Sequence, residues 1–311
     1  MRISSKRSPS TPAAYLERVN LAIDHIVSHL DQPVRLNRLA KIAMLSPFHF
    51  HRVFQAVIGE TPADFAKRLR LEKALGLMAR SHKDSLTSIA FACGFASSSD
   101  FSRSFKQRYG VPPRAFDIDT WRTAHSKKLH ENEMSAGRLI ERLPSRANPD
   151  EFKVRIRDLP ARTVAYIRVD KPYQGEGVVR AMNGLMAWAE RNRLADSQWL
   201  GYQWDNPEVT ALENCRYHVA VEIPPSRLRE LAHPRGEIGR FRFPAMTVAE
   251  IEIKGDIALE LRALHWLYGS WLPRSGYVPD DHPGFESWIG RPFVHGATYF
   301  EIHIQLPIRR S

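Results

Sequence analysis

The sequence predicts a multidomain chain, with an all-α first part built from a duplicated helical unit and an α+β second part built from two strand-helix-strand repeats. Three observations lead there. Apolar residues recur at helical spacing from Ala13 to about Arg122, whereas β-rich runs bounded by Pro and Gly dominate from Phe152 to Ile308. Each part repeats itself internally, with an offset of its own. The net charge of +11 also sits wholly in the first part: residues 1–130 hold 21 Lys and Arg against 10 Asp and Glu, and residues 151–311 hold 21 against 20.

A chain of 311 residues, 43% of them hydrophobic, has enough apolar surface for packed cores and suits about two domains. We place these at 13–122 and 151–309, with the polar, weakly patterned stretch 123–150 as linker. No apolar run approaches the ~18 residues needed to span a bilayer, and Met1–Ser10 has no apolar stretch for a signal peptide. Two cysteines, Cys93 and Cys215, exclude a disulfide scaffold and fit a reducing cytoplasm. The expectation is a cytoplasmic protein with no membrane partner.

In the first part, Leu16, Val19, Ile23, Ile26, Val27 and Leu30 form one helical stripe. Leu36–Ala43 reads as a short helix, Met44-Leu45 as a tight turn, and Ser46-Pro47 as the cap and first position of a second helix ending at Gly59. That helix should bury Phe50, Val53, Phe54 and Val57 and show Phe48, His49, His51, Arg52 and Gln55. Thr61-Pro62 opens a long connector helix to about Arg80. The unit then recurs: Phe50, Arg52, Phe54, Gly59, Pro62 and Phe65 reappear 51 residues on as Phe101, Arg103, Phe105, Gly110, Pro113 and Phe116. Ser88–Cys93 is the second copy's first helix, and Ser97 or Ser98 caps a helix to about Arg108 that shows Ser98, Ser99, Ser102, Arg103 and Lys106.

Two short helices and a tight turn, the second helix polar on one face, have helix-turn-helix geometry. Arg can bridge guanine O6 and N7, while Ser, His and Lys suit phosphates or single base edges. A connector of 19 residues spans about 28 Å at ~1.5 Å per residue, close to the ~34 Å between successive major grooves on one DNA face. Double-stranded DNA is the partner this pattern suits.

In the second part, Pro160-Ala-Arg-Thr-Val-Ala165 recurs as Pro244-Ala-Met-Thr-Val-Ala249, and Tyr217–Pro224 resembles Phe300–Pro307. Each copy reads as strand, helix, then strands, with helices near 175–192 and 256–271, and the copies should meet along a groove.

Ala90–Phe95, Phe101–Lys106 and Tyr109–Phe116 together resemble the AraC/XylS family of bacterial transcription regulators, over about Tyr15 to Arg122. The resemblance implies an all-α double helix-turn-helix DNA-binding domain, with Phe48, His51 and Arg52 on the first recognition helix and Ser98, Ser99, Ser102 and Arg103 on the second. Phe48 stands where relatives often have Trp. The second part is similar to a GyrI-like effector-binding domain, through the doubled Pro-Ala-x-Thr-Val-Ala, Lys171-Pro-Tyr173, Asp205-Asn-Pro207, Trp271–Gly276, Phe285–Trp288 and Gln305–Ile308. The order of the two parts resembles Rob-type regulators. Relatives usually have Gly at Lys171 and Tyr at Trp288.

Strand alternation assigns Thr163, Ala165, Ile167 and Val169, with Thr247, Ala249, Ile251 and Ile253, to the face beneath the helices. Val164, Tyr166 and Arg168, with Val248, Glu250 and Glu252, take the other face, as do Tyr299, Glu301 and His303. We expect the groove to be lined by Tyr166, Trp188, Trp204, Trp288 and Tyr299 with Glu250 and, by family position, Glu286. Aromatics around a desolvated carboxylate select a lipophilic cation.

No Ser-His-Asp set or metal-spaced His pair accompanies these residues, so we expect no catalytic residue, metal or cofactor. The expected function is a transcription regulator whose DNA affinity, or contact with RNA polymerase, responds to a small-molecule effector. The alternatives are a GyrI-like hydrolase carried by a DNA-binding module, and a constitutive DNA binder whose second part docks partners.

Overall fold

The computed structural model describes residues 12–80, 84–121, 124, 148–205, 210–231, 236–296 and 298–310. The chain forms two compact units, the main boundary falling after Ala124. Of the expected linker 123–150 only 124 and 148–150 lie among the described residues, as Asn206-Pro207 do not. Asn148 and Asp150 already belong to the second unit. The Asn148 amide accepts from the Phe152 N–H at 2.8 Å, and Asp150 holds Arg262 at 2.8 Å. Among the described residues no helix is long and apolar enough to cross a membrane.

The first unit is all-α, with α1 Pro12–Ser28, α2 Leu36–Ile42, α3 Pro47–Ile58, α4 Pro62–Arg80, α5 Leu86–Ala92 and α6 Ser98–Tyr109. The two copies are capped alike. Ser46 Oγ accepts from the His49 N–H at 3.3 Å and Ser97 Oγ from the Asp100 N–H at 3.1 Å. At the other ends Gly59 (φ 82°) and Gly110 (φ 83°) stop α3 and α6 in the left-handed conformation. The turn between the helices also needs a positive φ, supplied by Met44 at 52° and by Gly94 at 84°. Gly94 has a second reason: a Cβ there would lie 2.5 Å from the Leu30 carbonyl oxygen. The second copy's first helix starts at Leu86 under a Ser85 cap, two residues before the expected Ser88.

Val19, Ile23, Ile26, Leu39, Phe50, Phe54, Phe65 and Leu69 form the first copy's core. Val57, expected inside, is 43% exposed; α3 ends one residue later, and Ile58 packs against that core instead. Phe101 and Phe105, the counterparts of Phe50 and Phe54, are fully buried against Phe95, Tyr109 and Phe116.

Among its described residues the second unit is one nine-stranded sheet with two α-helices. Its strands are β1 Arg155–Leu159, β2 Arg162–Asp170, β3 Trp199–Gln203, β4 Arg216–Ile223, β5 Gly239–Phe243, β6 Met246–Gly255, β7 Tyr277–Pro279, β8 Gly284–Trp288 and β9 Phe300–Arg310. The helices are α7 Gly177–Arg191, packed on β2 and β4, and α8 Ile257–Trp266, packed on β6 and β9. The order is β1-β6-β9-β8-β3-β4-β2-β5, with β7 beside β9. The strand that leads into each copy pairs with the other copy's first strand, β1 with β6 and β5 with β2. The copies join at the centre, where Gly201 of β3 lies opposite Glu286 of β8.

Candidate nucleic-acid interface and ligand site

On α3 the exposed residues Phe48, Arg52 and Gln55 follow one another at i, i+4 and i+7, so they share one face. Phe48 is 73% exposed, and the Arg52 guanidinium lies 5.7 Å from its ring centroid. On α6 the equivalent face is Ser99, Arg103 and Lys106, all exposed, with Ser98 and Ser102 partly so. Asp100 sits in the first turn of α6, where a carboxylate favours the helix N-terminus. Its charge acts on Arg70 of α4.

Two histidines of the expected set behave differently. His49 turns to α1, its Nε2 lying 3.0 Å from Tyr15 Oη. It therefore ties α3 to α1 instead of joining the Phe48-Arg52 face. His51 is half-buried.

In the second unit, sheet register separates the residues expected to line one groove. Val164, Tyr166, Leu200, Tyr202, Phe243, Val248 and Phe285 form an apolar cluster, with Trp204 packed against it. This is the sheet face away from α7 and α8. Tyr166 is fully buried there, edge-on to His218, which stacks on Tyr202 at 4.7 Å. Burial and the charge of Arg168 hold the His218 imidazole well below its ordinary pKa.

Glu250 lies on that same face, 2% exposed, with its carboxylate held by Arg157 at 3.0 Å and Gln305 at 2.8 Å. Glu250 is thus already paired with Arg157, and Tyr166 and Trp204 pack with the apolar cluster on this face. Glu286, one residue from Phe285 in β8, points to the opposite face by alternation, as does Trp288.

Glu286 is partly exposed and sits at the join of the two copies. Tyr217 Oη donates a short hydrogen bond to its Oε2. Glu260, 6% exposed on α8, bonds to the same carboxyl. Gly201 is the residue that makes this possible: a Cβ there would come within 1.7 Å of Tyr217 Oη and 2.7 Å of Glu286 Oε2. Burial pushes the Glu286 carboxyl above the ordinary glutamate range, against the opposing pull of the bonds from Tyr217 and Glu260. Burial, then the neighbouring Glu286, pushes the Tyr217 phenol well above 10, so it stays a donor. Beside them the Tyr173 hydroxyl donates to Gln203 Oε1 at 3.2 Å, and Gln203 Nε2 has no partner among the described residues.

Trp288 packs edge-on to Phe293 and Phe300 and, with Tyr299 and Glu301, lines a cavity of about 170 Å³. Its indole N–H is buried without a partner among the described residues. Trp188 is half-buried on α7. Of the expected set, the structure thus places Glu286 with Tyr217 and Glu260, and Trp288 with Tyr299 on the neighbouring cavity. A signal for Glu260 was present: it shares a helix stripe with Ala263 and Leu267, where a carboxyl is out of place unless it has a partner. Tyr217 alternates with Val219 and Val221 and could have been placed beneath the helices by the same rule.

Comparison with known proteins agrees with this division. Residues 39–117 match a helix-turn-helix domain and residues 152–309 match a GyrI-like small molecule binding domain. The HTH-type transcriptional activator RhaS of Escherichia fergusonii is 39% identical over 97 residues, 31% of this chain and 34% of RhaS. The DNA gyrase inhibitor of Edwardsiella piscicida is 29% identical over 166 residues, 51% of this chain and all of the inhibitor. The chain spans between 30% and 42% of the length of the helix-turn-helix relatives it matches first. Among solved structures, the EcmrR C-terminal domain is 14% identical with a TM-score of 0.37, covering 52% of this chain and 99% of that one. With half of its length in that one match, the chain belongs to the GyrI-like small molecule binding domain family and carries an AraC-type helix-turn-helix domain ahead of it.

Proposed function

We propose that this protein is a cytoplasmic, sequence-specific DNA-binding transcription regulator, and that a small aromatic cation bound at Glu286 sets its activity. The observation that carries the DNA half is the duplicated exposed face, Phe48-Arg52-Gln55 and Ser99-Arg103-Lys106, on the part of the chain that holds all the net charge. Arginines at equivalent places on two recognition helices suit two major-groove contacts from one chain. The effector half rests on Glu286: a partly open carboxyl raised by desolvation, held by Tyr217, with Trp288 two residues on. Such a group gains most from a cation that is itself desolvated against aromatic walls.

The effector works by binding two conformations unequally, which changes either DNA affinity or the contact with RNA polymerase. The test is unbiased DNA-site selection by the full chain, repeated with benzyltrimethylammonium and with its uncharged carbon isostere neopentylbenzene. A selected site whose occupancy or transcription shifts with the cation alone supports the reading. Selection of no site, or equal shifts with both ligands, sinks it.

One observation favours a second reading. A raised carboxyl beside a phenol is also a general acid–base pair, as a GyrI-like hydrolase would use. Turnover of an activated ester or strained ring that Glu286→Gln abolishes would move the assignment there.

A further inference from the structure

We propose that Glu260 and Glu286 share one proton in the free protein, and that a cationic effector enters by taking that proton's place. The inference rests on Glu286 being the effector carboxylate. Two carboxyl groups within hydrogen-bond reach cannot both be ionised and still bond to each other; one must carry the proton. Here that bond joins α8 to the sheet, since Glu260 is on α8 and Glu286 on β8.

Among the described residues, the other elements around the pair do not supply a positive charge to Glu286. From β4 comes the Tyr217 hydroxyl, a donor that stays protonated. The turn after β2 brings Tyr173, which faces Tyr217. From β3 come Gly201 and Gln203, and from β9 Ile304, the register partner of Glu286. On α8, the nearby Arg262 is engaged by Asp150. The charges that act on Glu286 are thus burial, a phenol and a second carboxyl, none of them cationic.

The exchange balances charge for charge. The free pair carries one proton and one negative charge. When a monocation arrives, the proton leaves to solvent, both carboxyls are ionised, and the site keeps its net charge. Binding therefore releases about one proton wherever the free pair is still singly protonated, and affinity rises up to about tenfold per pH unit over that range. Above the pair's upper apparent pKa the affinity levels off. The proton bridge between α8 and β8 is replaced by a cation bridge, so α8 is the element that reports occupancy.

The experiment is calorimetric titration of the full chain with benzyltrimethylammonium, a cation that does not itself titrate, from pH 5 to 8. Each pH is run in two buffers of different ionisation enthalpy, which counts the protons. About one proton released per cation at the lower pH values, with affinity climbing and then flattening, is the expected result. Glu260→Gln should still bind the cation, but with its pH dependence moved to lower pH, because the amide donates to Glu286 without needing a proton and only the titration of Glu286 itself, raised by burial, is left. Circular dichroism and a thermal melt establish that the variant is folded, and the wild-type proton count decides even where it is not. Binding without proton release in the wild type, or a pH dependence that Glu260→Gln leaves unmoved, overturns the proton exchange and leaves the effector reading standing. No binding at any pH in the wild type overturns both.

Discussion

In the helical unit the first copy keeps an aromatic core to itself, although the second copy's turn packs on it at Gly94, whose missing Cβ leaves room for the Leu30 carbonyl. The core around Phe50 and Phe54 takes in α1 to α4 and includes no residue of α5 or α6. Phe101 and Phe105 are buried among their own neighbours. In the sheet unit the copies are fused. Each lends its leading strand to the other, and β3 and β8 pair through the middle. The lesson lies in what each duplication yields. Separate copies give the same surface twice, so Arg52 and Arg103 are equivalent and both exposed. Fused copies give one seam, and on it the two strands hold unlike residues, Gly201 on one and Glu286 on the other, because a side chain on both would collide.

That contrast can be broken most forcefully in the cores. Phe50→Ala and Phe101→Ala should each cost about 3–5 kcal/mol by denaturant unfolding. Because their ring partners differ, Phe54 for one and Phe95 and Phe105 for the other, the double variant should lose the sum to within about 0.5 kcal/mol. Strong non-additivity would show that the helical copies are one cooperative body after all.

The seam is tested next. Gly201→Ala puts a methyl where the Tyr217 hydroxyl sits, and should cost about 1–3 kcal/mol as overpacking. It should also abolish cation binding while leaving DNA-site selection intact. Unchanged ligand affinity would mean that the Tyr217–Glu286 bond plays no part in the site.

On the DNA side, Arg52→Ala and Arg103→Ala should each cost about 1–3 kcal/mol of specific binding and relax choice at one base position. The two positions should differ, one per groove. A uniform loss over all sequences would show that these side chains touch only phosphate.

The smallest effect concerns acid. The buried His218 has a pKa well below 6.5 in the folded state, so unfolding takes up a proton between that value and 6.5. Its contribution is complete above pH 6.5 and is lost as pH falls, by at most about 1.4 kcal/mol per pH unit. His218→Phe should flatten that slope in urea midpoints of the sheet unit. An unaltered slope would assign the acid sensitivity elsewhere.

Much of this was legible in the sequence, and for local reasons. Caps, turn glycines and the 51-residue offset are set by residues close in the chain, so α3, α4 and α6 fall where Ser46, Thr61 and Ser97 place them. Alternation placed Val164 and Tyr166 on one face of β2 and Ala165 and Ile167 on the other, as found. What alternation could not say was which face is open. We took the face away from the helices for the groove, but it closes into an apolar cluster that buries Tyr166, and Glu250 is satisfied by Arg157, a residue 93 positions away.

The sequence by itself determined the two classes of unit, their duplications and which residues of α3 and α6 face outward. Periodicity, capping and charge are local or additive properties, and they survive being read one residue at a time. Only the tertiary structure decided that Glu286 meets Tyr217 and Glu260, that Gly201 is empty for their sake, and that His49 belongs to Tyr15. Each of those facts depends on strand register or helix packing between residues 16 to 85 positions apart. Register is a collective choice of the whole sheet, and no single segment of the chain encodes it.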